Sequence, residues 1–323
     1  MIPARRLWYP ALLLGCGLLA LSSALAQAPR PAVAGAKPAK TEKTDVSKNT
    51  QLYVGLFNGQ VVNVYDAFGD GQPNYQFVDG LGTITGGIAV GRNHQVYVTT
   101  DSGLVVVFDE GHLTPVQRYR FPDQPSPTYP LGIAVDSAGT LYAPMNLEGV
   151  LVVYPKGDTQ KATLTIPVPS GETPYAAALD TDNNLYIEYG GFTFPSTGYI
   201  EECAPGSTQC VDLGIQLGSA GYNLVVDNQG NVVACDELAG QIDVFAPGST
   251  NPRVISQGLT GCGFFALDRK QKNLFVGNQA QDGSNQAVIS VFDYASGALV
   301  NTISGGIPSG DYIYGVAVSP AVR

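Results

Sequence analysis

One phrase recurs six times between residues 51 and 323, and it constrains the fold more than any other feature of the chain. It is an apolar triplet, usually with Ala at its centre and usually followed by Asp, then a short polar turn and a second apolar run. The copies read Ile88-Ala89-Val90-Gly91, Ile133-Ala134-Val135-Asp136, Ala177-Ala178-Leu179-Asp180, Leu224-Val225-Val226-Asp227, Phe265-Ala266-Leu267-Asp268 and Val316-Ala317-Val318-Ser319. The residue after each triplet falls at 91, 136, 180, 227, 268 and 319, in steps of 45, 44, 47, 41 and 51. A period of ~40–50 residues with this much β-branched content is that of four-stranded propeller blades, not of a helical solenoid. Composition agrees: 39 Gly and 22 Pro with only 14% charged residues do not suit a coiled coil, and 44% hydrophobic residues do not suit a disordered chain.

Each repeat carries its own turn chemistry. In Asp136-Ser137-Ala138-Gly139-Thr140 and Asp227-Asn228-Gln229-Gly230-Asn231 the Asp can accept hydrogen bonds from turn amides while Gly takes a positive φ, which joins two strands tightly. Third strands follow at 61–65, 104–108, 150–154, 241–245 and 288–292. The pentapeptide Ala204-Pro205-Gly206-Ser207-Thr208 returns verbatim as Ala246-Pro247-Gly248-Ser249-Thr250, marking the turn between third and fourth strands of neighbouring repeats. The segment opening at Leu52 lacks the triplet strand, and the segment closing at Ser319 has little else. Joined, they complete a sixth blade. The expectation is an all-β chain: a six-bladed propeller of four-stranded antiparallel blades, closed by pairing N- and C-terminal strands in one composite blade that leaves no free edge at the junction.

The phrase Gly132-Ile133-Ala134-Val135-Asp136-Ser137-Ala138-Gly139-Thr140-Leu141-Tyr142 resembles the NHL-type repeat of six-bladed propellers, a superfamily shared with gluconolactonase-like and virginiamycin-lyase-like enzymes. The resemblance covers nearly all of 51–323 and speaks to fold far more than to function, because this architecture carries scaffolds, binders and enzymes alike. Gly91 and Ser319 depart from the Asp pattern, and Glu201-Glu202 stand where other repeats have apolar residues.

Residues 1–50 differ in composition. Arg5 and Arg6 precede an apolar run from Leu7 to Leu21, and Ala24-Leu25-Ala26 offers the small residues of a signal-peptidase site, so 1–26 reads as a secretory signal. Leu13-Leu14-Gly15-Cys16 resembles a bacterial lipobox, which makes a lipid anchor through Cys16 the alternative to simple cleavage. From 27 to 50 the Ala, Pro, Lys and Thr residues show no apolar periodicity and read as a disordered tether. The signal carries +2 and the tether +3, so the total of −10 leaves −15 on 51–323. Nucleic acid is thereby excluded as a partner. The expected compartment is the periplasm or the exterior, with no transmembrane span in the mature chain and a monomeric ring.

Four cysteines remain after the signal, an even number in an exported chain, and disulfides are the default. Four cysteines allow three pairings. Cys203 and Cys210 flank the turn between a third and a fourth strand, while Cys235 ends a second strand and Cys262 leads into the next repeat's first, so 203–210 and 235–262 are the expected bridges. No Cys-x-x-Cys pair supports a zinc site.

Blade connectivity puts the Asp-Gly and Pro-Gly-Ser-Thr turns on one face. The connections leading into the innermost strands and those following the second strands share the other face, around the channel mouth. Five residues before the Asp position stand Gly86, Leu131, Tyr175, Tyr222, Gly263 and Tyr314, so three tyrosines are expected at the mouth. Just after the second strands come Asn58, Thr100, Asn146, Glu188, Asp236 with Glu237, and Asn278. Such a set of oxygens and phenols can bind a sugar or a cationic group by stacking and hydrogen bonding. Glu188, Asp236 and Asn278 could instead hold Ca or another divalent cation as the Lewis acid of a gluconolactonase-like hydrolase. The same residues could also simply pack and solvate loop ends.

Other chemistry finds little support. The only histidines, His94 and His112, fall in turns of the face opposite the mouth, which argues against a histidine base there. Asp180-x-Asp182-x-Asn184 imitates a calcium loop but has Leu185 at the obligatory Gly position, so it reads as a blade hairpin. Two expectations stand. The favoured one is a non-catalytic propeller, without cofactor, whose mouth face binds a protein, peptide or saccharide; the rival is the divalent-metal-dependent lactonase.

Overall fold

The computed structural model describes residues 50–320 except 79–80, 92, 102–103, 121–129, 160, 194 and 280–285. The expected signal 1–26, Cys16 and all of the tether but Thr50 lie outside the described residues.

Strands alternate with short turns throughout. The first three are β1 (Gln51–Leu56), β2 (Val61–Asp66) and β3 (Pro73–Phe77). Blade B holds β4 (Ile84–Val90), β5 (Gln95–Thr100), β6 (Leu104–Asp109) and β7 (Pro115–Arg120). Blade C holds β8 (Ala134–Val135), β9 (Leu141–Met145), β10 (Val150–Tyr154) and β11 (Leu164–Pro167). Blade D holds β12 (Glu172–Leu179), β13 (Leu185–Gly191), β14 (Gly198–Cys203) and β15 (Cys210–Leu217). Blade E holds β16 (Leu224–Val226), β17 (Val232–Asp236), β18 (Gln241–Phe245) and β19 (Arg253–Ile255). Blade F holds β20 (Phe265–Leu267), β21 (Asn273–Asn278), β22 (Val288–Asp293) and β23 (Leu299–Ile303). The last strand, β24 (Ile313–Ser319), pairs with β1 and so completes blade A in the order β24-β1-β2-β3. The six four-stranded antiparallel sheets form a six-bladed propeller with its ends fastened together in one blade. The closing register runs Gln51↔Ser319, Leu52↔Val318, Tyr53↔Ala317 and Val54↔Val316.

The turn chemistry is local and repeats. Asp136 Oδ1 accepts the amides of Ala138 and Thr140, and Asp180 and Asp227 do the same two and four residues on. Gly139 and Gly230 take φ of 89° and 77° in these hairpins. Gly206 and Gly248 both sit at φ 72° in the two identical pentapeptides, where Ser207 and Ser249 donate to Ala204 and Ala246. Asp180-x-Asp182-x-Asn184 is such a hairpin.

Packing follows the period of two. Leu52, Val54 and Leu56 of β1 join Phe275, Ile289 and Val291 of blade F, while the intervening Tyr53 joins Val98, Val106 and Phe108 of blade B. Between blades A and B, Phe77 and Phe108 stack at 4.5 Å with 4° between their planes. Each such side chain withdrawn from water contributes ~1.5–3 kcal/mol, so the core is distributed over six junctions instead of one centre. Near the axis the innermost strands crowd, which is why Ala so often holds the centre of the triplet. At Gly132 the backbone meets β12 directly: Gly132 donates to Tyr175 O, Ala177 donates back to Gly132 O, and a Cβ there would lie 2.6 Å from Tyr222 O. Both expected disulfides are present, Cys203–Cys210 and Cys235–Cys262, with Cα separations of 4.2 and 5.7 Å.

Candidate functional site

The innermost strands surround an axial channel with a cavity of about 170 Å³, lined by the triplets and by Asp136, Ser137, Asp180 and Asn183. At its other end the connections leading into the innermost strands and those after the second strands form the mouth.

Tyr175, Tyr222 and Tyr314 all reach the mouth, as the spacing predicts, and two rings that the spacing misses join them. Tyr175 meets Tyr222 with centroids 5.9 Å apart, Tyr222 meets Phe264 at 6.1 Å, Phe264 meets Tyr314 at 5.8 Å, and Tyr314 meets Phe57 at 4.9 Å. The result is a continuous arc of five rings over blades D, E, F and A. Blades B and C interrupt it: Gly86 has no ring, and a Cβ there would lie 2.6 Å from Pro130 O, while Leu131 packs against Tyr175 and Ala220. Tyr175 and Phe264 are buried, whereas Tyr222, Tyr314 and Phe57 are half-buried. The Tyr175 hydroxyl donates to Gly191 O at 2.7 Å, and burial pushes the phenol up to about 12.

The polar residues sort into anchors and one unsatisfied acid. Asp236 Oδ2 accepts the Gly218 amide at 2.8 Å and Oδ1 the Ala239 amide at 3.1 Å. One blade on, Asn278 Oδ1 accepts both the amide and the hydroxyl of Thr260 at 2.9 Å. Both residues end a second strand, and both fasten the connection 18 residues upstream that feeds their own blade. In blade A the relation is reversed: Asp311, just before the innermost strand, accepts the amides of Asn58 and Gly59, and the Asn58 side chain donates to Gly310 O. Thr100 ends β5 and is buried.

Glu188 differs from its expected place. It lies inside β13, paired with Ala176 and Ile200, not beyond the strand. No part of it is exposed. Its Oε1 accepts the Gly221 amide at 2.5 Å, while Oε2 has no hydrogen-bond partner. Burial, reinforced by Glu237 and Asp236 nearby, pushes the carboxyl up to about 8 against the lowering effect of the Gly221 amide. Strand register explains the contact. Glu188 in blade D corresponds to Cys235 in blade E, and Gly221 corresponds to Cys262, so the Glu188–Gly221 hydrogen bond occupies the place that the 235–262 disulfide takes one junction later.

Asn146 follows β9 at the position that Gln279 holds after β21. Gln279 closes on Ile313 with both amide atoms, donating to its carbonyl at 2.7 Å and accepting its amide at 3.3 Å. The corresponding residue facing Asn146 is Pro174, which has no N–H to donate, and Asn146 is one methylene shorter. Buried to 1% exposure, it leaves both amide atoms without partners. Glu237 is buried beside Glu188.

No protein-family model and no curated protein matches this sequence. Among solved structures, the chain is similar to a protein of unknown function from Bacteroides caccae, with a TM-score of 0.59 at 10% identity over 84% of this chain and 98% of that one. At that identity the similarity concerns the fold.

The residues offered for a divalent ion are engaged in holding the blade connections. Both oxygens of Asp236 and the Oδ1 of Asn278 accept hydrogen bonds from amides and a hydroxyl, whereas Glu188 Oε2 has no partner. Among the described residues, the Asp, Glu, His and Cys ligand atoms that gather in threes within 4.8 Å are those of Glu201, Cys203 and Cys210, and there the sulfurs are joined to each other. Glu188, Asp236 and Glu237 are not such a group. His94 and His112 lie in turns of the opposite face, His94 Nδ1 2.9 Å from Glu110 Oε2.

Proposed function

We propose that this chain is an exported, non-catalytic propeller of NHL-type ancestry that binds a protein, peptide or saccharide through its mouth face. The observation that carries the reading is the five-ring arc. Half-buried rings on the rim of a polar-lined mouth offer flat apolar surface at low entropic cost, which is how aromatic side chains anchor peptides and sugars. The anchored loops beneath it supply rigidity: Asp236, Asn278 and Asp311 hold the connections from below, and a disulfide holds one junction covalently. Two disulfides support export to an oxidising compartment, and no helix among the described residues is long and apolar enough to cross a membrane.

Screening the purified protein against glycan and peptide arrays, beside Tyr222→Ala and Tyr314→Ala, tests the proposal. The wild type should bind a small set of ligands that both variants lose while keeping wild-type far-UV circular dichroism. Ligands held equally by all three proteins would sink the assignment of the mouth.

A further inference from the structure

The mouth connections carry charge of one sign. Among the described residues of its connections there is no Lys, Arg or His, and the one basic strand end on this side is Arg120, which closes the outermost strand β7, whereas Asp101, Glu148, Glu172, Asp236, Glu237 and Asp311 stand there, contributed by five of the six blades. The ring's other described cations lie away from the mouth. Lys156 and Lys161, and Arg269, Lys270 and Lys272, belong to turns of the opposite face, and the other arginine of β7 and that of β19 sit on outermost strands. Asp236 and Asp311 are held by backbone amides, which fix a carboxylate without cancelling its charge. Rims lined with one sign of charge raise the local concentration of the opposite sign.

A second observation is independent of the rim. Glu188, with 0% exposure, keeps Oε2 unpartnered among Asp236, Glu237 and Tyr175. Buried polar atoms without partners are rare, and a polar ligand at this mouth is one way such an atom gains a partner. The adjoining rings attract cations through their faces. The carboxylates are also spread around the ring instead of gathered at one point, so a single ammonium would meet one or two of them and an extended polycation several.

We propose that the ligand of this face is a Lys- or Arg-rich stretch of polypeptide, lying across the aromatic arc with its cations against the rim carboxylates. The inference rests on the mouth-binding reading above and names its ligand class. Its test is the anisotropy of fluorescein-labelled octa-arginine and octalysine titrated with the protein across a salt series. Two triple variants remove equal charge. D101N/E148Q/E172Q acts at the mouth, and D70N/D158N/D182N acts on exposed turns of the opposite face.

The mouth triple should lose about tenfold or more in affinity and flatten the salt dependence, and the opposite-face triple should bind as the wild type does. Equal losses in both triples, or no binding of either peptide, overturn the inference. If that happens while Tyr222→Ala still abolishes capture of a neutral glycan or peptide, the mouth reading stands and only the basic ligand falls. If Tyr222→Ala changes binding of nothing, both fall.

Discussion

Replacing Glu188 by Gln should make the protein more stable at alkaline pH while leaving it nearly unchanged in acid. The unfolded chain releases this proton near pH 4.5 and the folded chain near pH 8, so between those values the folded state holds one proton more. Stability contributed by the protonated carboxyl is therefore complete below 4.5 and drains away as the pH climbs to about 8. The slope is ~1.4 kcal/mol per pH unit for one group, which over this interval amounts to something on the order of 4 kcal/mol. Glutamine keeps the oxygen that accepts the Gly221 amide and does not ionise. Glu201 and Asp243, pushed up to about 7 and about 6 by burial, contribute slopes of the same sign in both proteins and cancel in the difference. Urea denaturation of wild type and Glu188→Gln at half-unit pH steps should give curves that meet in acid and separate steadily toward pH 8. Parallel curves across that range would show that Glu188 reaches solvent, and the account of the D–E junction given above would be wrong.

Three further outcomes are expected. Opening the Cys235–Cys262 bridge by Ala substitution at both positions should cost more than opening Cys203–Cys210, about 3.5 against about 2.4 kcal/mol from loop closure across separations of 27 and 7 residues; the reverse order in chemical denaturation would refute the ranking. Gly132→Ala should destabilise by ~1–3 kcal/mol, because its Cβ would press on Tyr222 O and Ala176, and an unchanged Tm would contradict the close approach. Calcium or a chelator should leave the Tm of the purified protein where it is, since the Asp236 and Asn278 oxygens are occupied by protein donors; a rise of several degrees with calcium would reinstate a metal centre.

The sequence and the structure agree most closely where bonds are short in sequence. An Asp that caps its own turn two and four residues on, and a Gly at positive φ beside it, need no knowledge of distant contacts, so the hairpins, the repeat length and the two disulfides could all be read from the chain. Glu188 shows where that reading stops. Counted from the triplet it falls near the mouth, but it stands one register position before Asp236 and Asn278, at that of Cys235, and so lies inside its strand at the blade junction instead of at the strand's end. Phe264 and Phe57 escaped for a related reason: one lies a position away from the tyrosine column and the other follows a second strand, so no single spacing gathers all five rings. The spacing of 18 that joins Gly218 to Asp236 and Thr260 to Asn278 was a usable signal, because it repeats between neighbouring blades at matching strand ends.

By itself the chain determined the number and kind of its elements, because each four-stranded unit repeats its own turn chemistry and alternates apolar residues to serve two neighbours. It also determined that the ends must meet, since an incomplete first blade and a lone last strand are complementary. Only the closed ring decided what the mouth residues do. Six units brought to a common axis turn residues some forty positions apart into neighbours, so that two identical roles, Glu188 on Gly221 and Cys235 on Cys262, are filled by a hydrogen bond in one junction and a covalent bond in the next. The same convergence makes one aromatic arc from rings separated along the chain and gathers carboxylates in the mouth connections, whose described residues include no Lys or Arg.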